Sequence, residues 1–295
     1  MSSLALLRLG DVGHERPFAL VDGAVWNIES VTSDIDGVFL ARGGIKQVRA
    51  GLAAGRFDHM GALESLGLRV GAPVARPGKV VCVGLSYSDH AAETGATVPS
   101  EPVLFMKDPS TVVGPYDQVL VPRASVKTDW EVELAVVIGS TARYVANIVD
   151  AMRCVAGYAI AHDVSEREFQ LERGGQWDKG KSCETFNPLG PWLVAADDVP
   201  DPQQLGLRLW VNGQRRQNGS SANMIFPVAE IVRYISQFMV LYPGDVINTG
   251  TPAGVAQGQP EPKPFLRAGD VVELEIDGLG RLETPIVMAH EGVTP

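Results

Sequence analysis

Mainly β with a minority of α-helix (α+β) is the fold class the sequence predicts, and three observations predict it. Glycine and proline are abundant in the 295 residues, at 32 and 20, which calls for many turns. The apolar runs are short, and most alternate with the period of two that a half-buried strand requires. The stretch Gly71–Gly78 holds two prolines and two glycines and reads as a linker. It divides the chain into a small N-terminal α+β domain over 1–72, a linker over 73–78 and a large second domain over 79–295.

In the N-terminal part, Ala5–Leu9, Phe18–Val21 and Val25–Ile28 read as strands, the last two joined by an Asp22-Gly23 hairpin turn. Weakly helical stretches follow near 46–53 and 60–67. His14 and His59 are isolated and read as surface residues. Lys79–Gly84 is a continuous apolar strand, expected near the centre of a sheet. A short helix then starts near Ser86 or Ser88 and ends by Gly95. It carries His90 and Glu93, three apart and therefore on one face. A carboxylate beside an imidazole fixes its tautomer and raises its basicity, as a general base needs. An ordinary surface His–Glu pair has the same spacing. The polar 95–102 segment reads as a lid or a plain connection, and Val103–Lys107 as the next strand.

Asp129–Gly139 is the most informative stretch. As a strand it places Trp130, Val132, Leu134, Val136 and Ile138 on one apolar face. Glu131 and Glu133 share the other face, roughly 7 Å apart, ahead of Ala135 and Val137. Two carboxylates on a strand that otherwise looks buried repel each other and resist desolvation, which a divalent cation between them would relieve. A half-solvated edge strand accounts for them equally well.

A short helix around Asn147–Arg153 and a strand from Val155 to Ala161 follow, ending in His162-Asp163. Ser165 and Glu168 match a capping box, predicting a helix to about Arg173 with Arg167 and Gln170 on one face. Asp163, at the strand end before it, is a candidate third metal ligand, and His162 reads as readily as a packed core residue. In the polar loop 176–182, Lys181 is the better candidate for an inward-facing lysine. Pro191–Ala195 and Gly206–Val211 read as strands, and Pro227–Phe238 as an amphipathic helix. The strand Asp245–Asn248 runs into Thr249–Gly254, a loop that lets backbone approach a ligand closely. Glu273 and Glu275 repeat the alternation of Glu131 and Glu133 but lie beside loops and read as a solvated face.

The balance of 25 Lys+Arg against 35 Asp+Glu, net −10 with no basic cluster, excludes nucleic acid and anionic membranes as partners. Cys82, Cys154 and Cys183 lie far apart and read as reduced thiols of a cytoplasmic protein. The N-terminus does not read as a signal peptide, and no apolar run approaches the ~20 residues of a membrane span. No strand–Gly-x-Gly-x-x-Gly–helix unit is present, which argues against a dinucleotide site.

Taken in order, Gly84–Glu93, Asp129–Gly139, Gly157-Tyr158 with Asp163–Arg167, Gly180-Lys-Ser182 with Pro188–Trp192, Tyr242–Gly254 and Ala268–Val271 closely resemble the fumarylacetoacetate hydrolase family. The resemblance covers about residues 78 to 288. It implies a mixed β-sandwich roll, a homodimer and one divalent cation per chain, commonly Mg2+ or Mn2+. By motif, the metal ligands would be Glu131, Glu133 and Asp163, and His90 and Glu93 the water-activating dyad. Arg167, Gln170, Lys181 and Thr251 would hold substrate oxygens, Lys181 also stabilising an enolate. One departure is Ser86, which stands where the family usually has Asn. The implied reaction is hydrolysis of a C–C bond in a 2,4-dioxo acid, giving pyruvate or a related keto acid plus a carboxylic acid. Glu93–Pro99, Gln176–Ser182 and the chain length look most similar to members acting on 2,4-diketo-3-deoxy sugar acids. Members that cleave acylpyruvates, isomerise or decarboxylate dienoates, or decarboxylate oxaloacetate share the metal-enolate step. A different class of reading is a non-catalytic dimeric scaffold stabilised by its metal, against which His90, Glu93 and Lys181 speak.

Overall fold

The computed structural model describes residues 3–95 and 97–289. Strands dominate and helices are few and short, as the turn-rich composition requires. The largest sheet runs, edge to edge, through Asp58–Ala62, Ala24–Asn27, Arg16–Val21, Leu4–Leu9, Asn187–Ala195, Val155–His162, Val132–Ile138, Val246–Asn248, Val80–Gly84 and Val103–Lys107. A second sheet of five strands is ordered Gln214–Ser220, Gly206–Val211, Val271–Ile276, Gly280–Met288 and Val119–Val121. Among the described residues no helix is long and apolar enough to cross a membrane.

The Val132–Ile138 strand shows why the sheets stack. Trp130, Val132, Leu134, Val136 and Ile138 enter one core with Leu207, Leu209, Val272, Leu274 and Leu282 of the five-stranded sheet. Ala135 and Val137, on the opposite face, enter a second core with Phe39, Leu40 and Val48. The alternation therefore sorts side chains between two cores. Glu131 and Glu133 lie on the second face, beyond the reach of the N-terminal helices.

The N-terminal residues extend the main sheet. Leu4–Leu9 pairs antiparallel with Asn187–Ala195 through Ala5↔Val194 and Leu6↔Leu193. The sheet therefore continues across the 73–78 segment.

Several elements differ from expectation. The 60–67 stretch is not a helix: Asp58–Ala62 is an edge strand against Ala24–Asn27, followed by a single 3-10 turn at Leu63–Ser65. The Ser165 capping box does not form. Ser165–Glu166 instead pairs as a short strand with Thr128–Asp129, and Glu168–Glu172 is a π-helical turn. The reason is local competition for the cap. The Ser165 hydroxyl donates to Asp163 O at 3.0 Å, and the Glu166 carboxylate accepts from the Ser125 and Thr128 hydroxyls. The polar 176–182 loop contains a helical turn, Asp178–Lys181. Lys79–Gly84 lies next to the edge strand, not at the centre. Phe238, expected on the buried face of its helix, is past the helix end and exposed.

Candidate active site

Four strand ends converge on one cavity. The register Val132↔His162 places Asp163 opposite Glu131, and Asp163 N donates to Glu131 O at 3.0 Å. Ala135 pairs with Asn248, so the loop after Asn248 runs alongside Glu133. Asn248 pairs with Cys82 in parallel, which brings the Gly84–Ser86 loop to the same place. Parallel and antiparallel pairing thus gather acids from two strands and loops from two others.

Glu131, Glu133 and Asp163 are buried, and one oxygen from each lies within 4.8 Å of the others. Lys181 Nζ donates to Glu131 Oε2 at 2.8 Å and to Asp163 Oδ2 at 2.9 Å. Arg167 donates from Nε to Asp129 Oδ2 at 2.8 Å, from Nη2 to Glu131 Oε1 at 2.7 Å and from Nη1 to Gln170 Oε1 at 3.0 Å. Lys107 Nζ donates to Asp163 Oδ1 at 2.5 Å and Val164 O at 3.0 Å. Four buried carboxylates, counting Asp129, thus face three buried cations.

That imbalance appears in the titration of the group. Burial pushes Glu133 well above the usual carboxylate range, and the neighbouring Asp163 and Glu131 push it further. Burial also opposes ionisation of Glu131, but Lys181 and Arg167 beside it win and hold it low. Burial disfavours charge on Lys181, yet Asp163 and Glu131 outweigh it and keep the ammonium protonated. The odd carboxylate is therefore Glu133, whose Oε2 accepts the Gly250 N–H at 2.7 Å and, among the described residues, no ammonium or guanidinium. The three oxygens are hard donors of the kind Mg2+ and Mn2+ take, with no sulfur among them. The trio fits a divalent cation that would supply the missing positive charge.

His90 and Glu93 share a helix face on Ser88–Thr94, with Nδ1 3.5 Å from Glu93 Oε2. Glu93 is held from the other side by Gly254 N, 3.0 Å from both carboxylate oxygens. The Thr249–Gly254 loop depends on Ser86, whose hydroxyl donates to Thr249 O at 2.5 Å. Gly250 has φ +95, and a Cβ there would lie 1.8 Å from Ser86 Oγ. Here glycine is required twice, for its backbone conformation and for this close approach. In this chain the serine at 86 ties down the loop that presents Gly250 N–H to Glu133.

The cavity has a volume of about 280 Å3. His90, Glu131, Glu133, Arg167, Gln170, Lys181 and Thr251 all line it. Thr251 Oγ1 is already engaged, donating to Val132 O at 2.9 Å and accepting from Gln217 Nε2 at 2.8 Å. His162 faces the core, with Nδ1 3.2 Å from Thr284 Oγ1, and burial with nearby Lys107 pushes it down to about 3. Of the 95–102 segment, read as a lid or a plain connection, Ala96 lies outside the described residues.

Sequence reasoning missed Asp129, Lys107 and Gln217. Asp129 follows the alternation that picks out Glu131 and anchors Arg167, Ala256 N and Gln257 N. Gln217 bridges Val132 N and Thr251. Neither Lys107 nor Gln217 carries a local signal, because each is brought in by tertiary packing.

Residues 79–287 match the family profile described as the C-terminal region of fumarylacetoacetate (FAA) hydrolase. A provisionally named hydrolase of Burkholderia ambifaria is 50% identical over 278 residues, 94% of this chain and 96% of its own. The crystal structure of 5-carboxymethyl-2-hydroxymuconate delta-isomerase from Mycobacterium smegmatis is 30% identical with a TM-score of 0.76, covering 97% of this chain and 100% of that one. Maleylpyruvate hydrolase from Sphingobium sp. SYK-6, solved with manganese(II) and pyruvate, is 26% identical with a TM-score of 0.78, at 97% and 100% coverage.

Proposed function

This chain belongs to the fumarylacetoacetate hydrolase family, whose members are hydrolases or isomerases, and on that premise we propose that it hydrolyses a C–C bond in a 2,4-dioxo acid with the help of a divalent cation. The observation that carries the reading is the buried trio of Glu131, Glu133 and Asp163, whose two glutamates share one cavity with His90. Manganese and pyruvate in the Sphingobium hydrolase support it. Mg2+ or Mn2+ held by the trio would supply Lewis-acid polarisation of the substrate's keto-acid end.

The chain's own groups supply the rest. Glu93 Oε2 stands 3.5 Å from His90 Nδ1 and orients the imidazole from that side, leaving Nε2 to take a proton from water. The resulting hydroxide adds to the C4 carbonyl, and the C3–C4 bond breaks. Its electron pair passes to C3 and becomes the enolate of the keto acid, while C4 leaves as a carboxylic acid. Lys181, kept as an ammonium by its carboxylate neighbours, stands beside the developing negative charge. Protonation of C3 completes the keto acid. Arg167 acts through Asp129 and Glu131, fixing their orientation. The reading includes a homodimer with one cation per chain.

A second reading, isomerisation of a 2-hydroxy-dienedioate in the same site, is favoured by the likeness to the Mycobacterium smegmatis isomerase. The deciding experiment is a panel of 2,4-dioxo acids assayed for pyruvate with added Mn2+ and with EDTA. Metal-dependent pyruvate release is expected. Carbon dioxide, or isomerisation of a dienoate without cleavage, would replace the hydrolase reading with the corresponding alternative.

A further inference from the structure

We propose that the side of the cavity away from the carboxylates is an apolar subsite for an uncharged alkyl or aryl group, so that the substrate is a monocarboxylate; the proposal rests on the hydrolase reading and deepens it. The polar side chains are grouped around Glu131: Arg167 and Gln170 bond it or each other, and Lys181 bridges it to Asp163. The remaining wall is mainly apolar, formed by Val83, Leu85, Phe105, Leu171, Trp177 and Val255, with Gln257 its polar exception. Phe105 is the junction. Its ring centroid lies 5.0 Å from Lys181 Nζ and 5.4 Å from the Trp177 ring, which meets it edge-on at 62°.

The wall is built as deliberately as the polar end. Trp177 and Lys181 sit one helical turn apart, Lys181 N donating to Trp177 O at 3.1 Å. One short helix therefore sends an ammonium to the carboxylates and an indole to the outer wall. The indole lies directly over Gly84, where a Cβ would come 2.6 Å from Trp177 Cζ3. Trp177 is half-buried and Leu171 exposed, so apolar surface is left open to the cavity.

Charge points the same way. Among the described residues, Arg167 and Lys181 are the only lysine or arginine residues lining the cavity, and both are bound to protein carboxylates. With a divalent cation in the trio the buried group carries one excess positive charge, enough for one substrate carboxylate. A second carboxylate on the tail, or a polyol, would lose its hydration against Phe105 and Trp177 with no cation in return. This moves the expected substrate away from sugar acids and dienedioates and toward acylpyruvates.

The test compares four 2,4-dioxo acids of similar length, with tails ending in methyl, phenyl, carboxylate or a diol, by kcat/KM for pyruvate release with Mn2+. The methyl and phenyl tails are expected to lead by at least about tenfold. Leu171→Lys, at an exposed position, should raise kcat/KM for the carboxylate tail and narrow the gap. Trp177→Ala should lower kcat/KM for the apolar tails, mainly through KM. A carboxylate or diol tail turned over as well as the methyl one would overturn the subsite while leaving the hydrolase reading intact. If no tail yields pyruvate, the hydrolase reading fails, and binding of non-cleavable 2-oxo acids decides the subsite. Quenching of Trp177 fluorescence, referenced to Trp177→Phe, should then be tighter for an alkyl than for a carboxylate tail. Equal affinity would overturn it.

Discussion

Lys107 Nζ donates to Asp163 Oδ1 at 2.5 Å, and neither side chain touches solvent. Lys181 takes the other oxygen of the same carboxylate at 2.9 Å. Asp163 is thus clamped between two ammonium groups. Breaking a buried pair by removing one partner costs about 3–5 kcal/mol, since the remaining charge is left uncompensated. Lys107→Met should therefore destabilise the metal-free protein by about 3 kcal/mol, given that Lys181 remains. Excess Mn2+ should recover part of that loss, because it brings positive charge to the same carboxylate. Urea unfolding with and without Mn2+ measures both. An identical loss under the two conditions would reduce Lys107 to a packing residue.

Glu133 is the carboxylate without a matching cation, and its ionisation is opposed by burial, Asp163 and Glu131. Glu133→Gln keeps an oxygen for the Gly250 N–H and removes the excess charge. The metal-free variant should be at least as stable as the parent. It should also lose the rise in Tm that Mn2+ produces in the parent. Thermal melts over a Mn2+ titration read both effects, and a Tm rise of parental size in the variant would remove Glu133 from the ligand set.

How much of this is legible in the sequence depends on the range of the signal. Two Glu-x-Glu pairs occur, and only context separates them. Glu273 and Glu275 alternate with buried Val272, Leu274 and Ile276 and pair with Arg281 and Arg208 at a half-exposed sheet face. Glu133 sits on, and Glu131 immediately precedes, a strand buried on both faces, which the continuous apolar run after them announces. The His90–Glu93 spacing and the inward Lys181 are likewise short-range features; His90, Glu131, Glu133 and Lys181 line one cavity, with Glu93 behind His90. Lys107 ends an unremarkable strand, and nothing near it in sequence says that its ammonium reaches Asp163. The Ser165–Glu168 pattern misleads for the converse reason. Ser165 donates to Asp163 O and Glu168 accepts from Arg173, while Glu166 between them is held by Ser125 and Thr128, some 40 residues away in the chain.

Arg167 uses its planar fork. Nε and Nη2 hold Asp129 and Glu131 at once, at 2.8 and 2.7 Å, while Nη1 takes Gln170. A lysine offers one point charge and cannot span both carboxylates in that geometry. Arg167→Lys should keep the net charge and the fold but lower kcat/KM by about 100-fold, a loss of about 2.7 kcal/mol in transition-state stabilisation. Parental kinetics in this variant would mean that charge alone suffices at position 167.

The pH dependence of metal binding follows from Glu133. Its proton is held above the ordinary value of 4.5 by burial and two carboxylate neighbours, so without metal the folded state binds a proton that the unfolded chain has released. In that window the unfolded state carries fewer protons, and the stability of the metal-free protein falls as pH rises toward the folded pKa. The cation competes for the same oxygens and must displace that proton. Mn2+ affinity should therefore rise with pH, by about tenfold per unit while one proton is exchanged, and level off once Glu133 is ionised. Calorimetric titrations in buffers of different ionisation enthalpy count the protons released. Release of one proton below the plateau is expected in the parent protein and none from this site in Glu133→Gln. A pH-independent affinity across pH 5 to 8 would show that Glu133 is already ionised in the metal-free protein, the three cations sufficing to hold all four carboxylates charged despite the net negative balance.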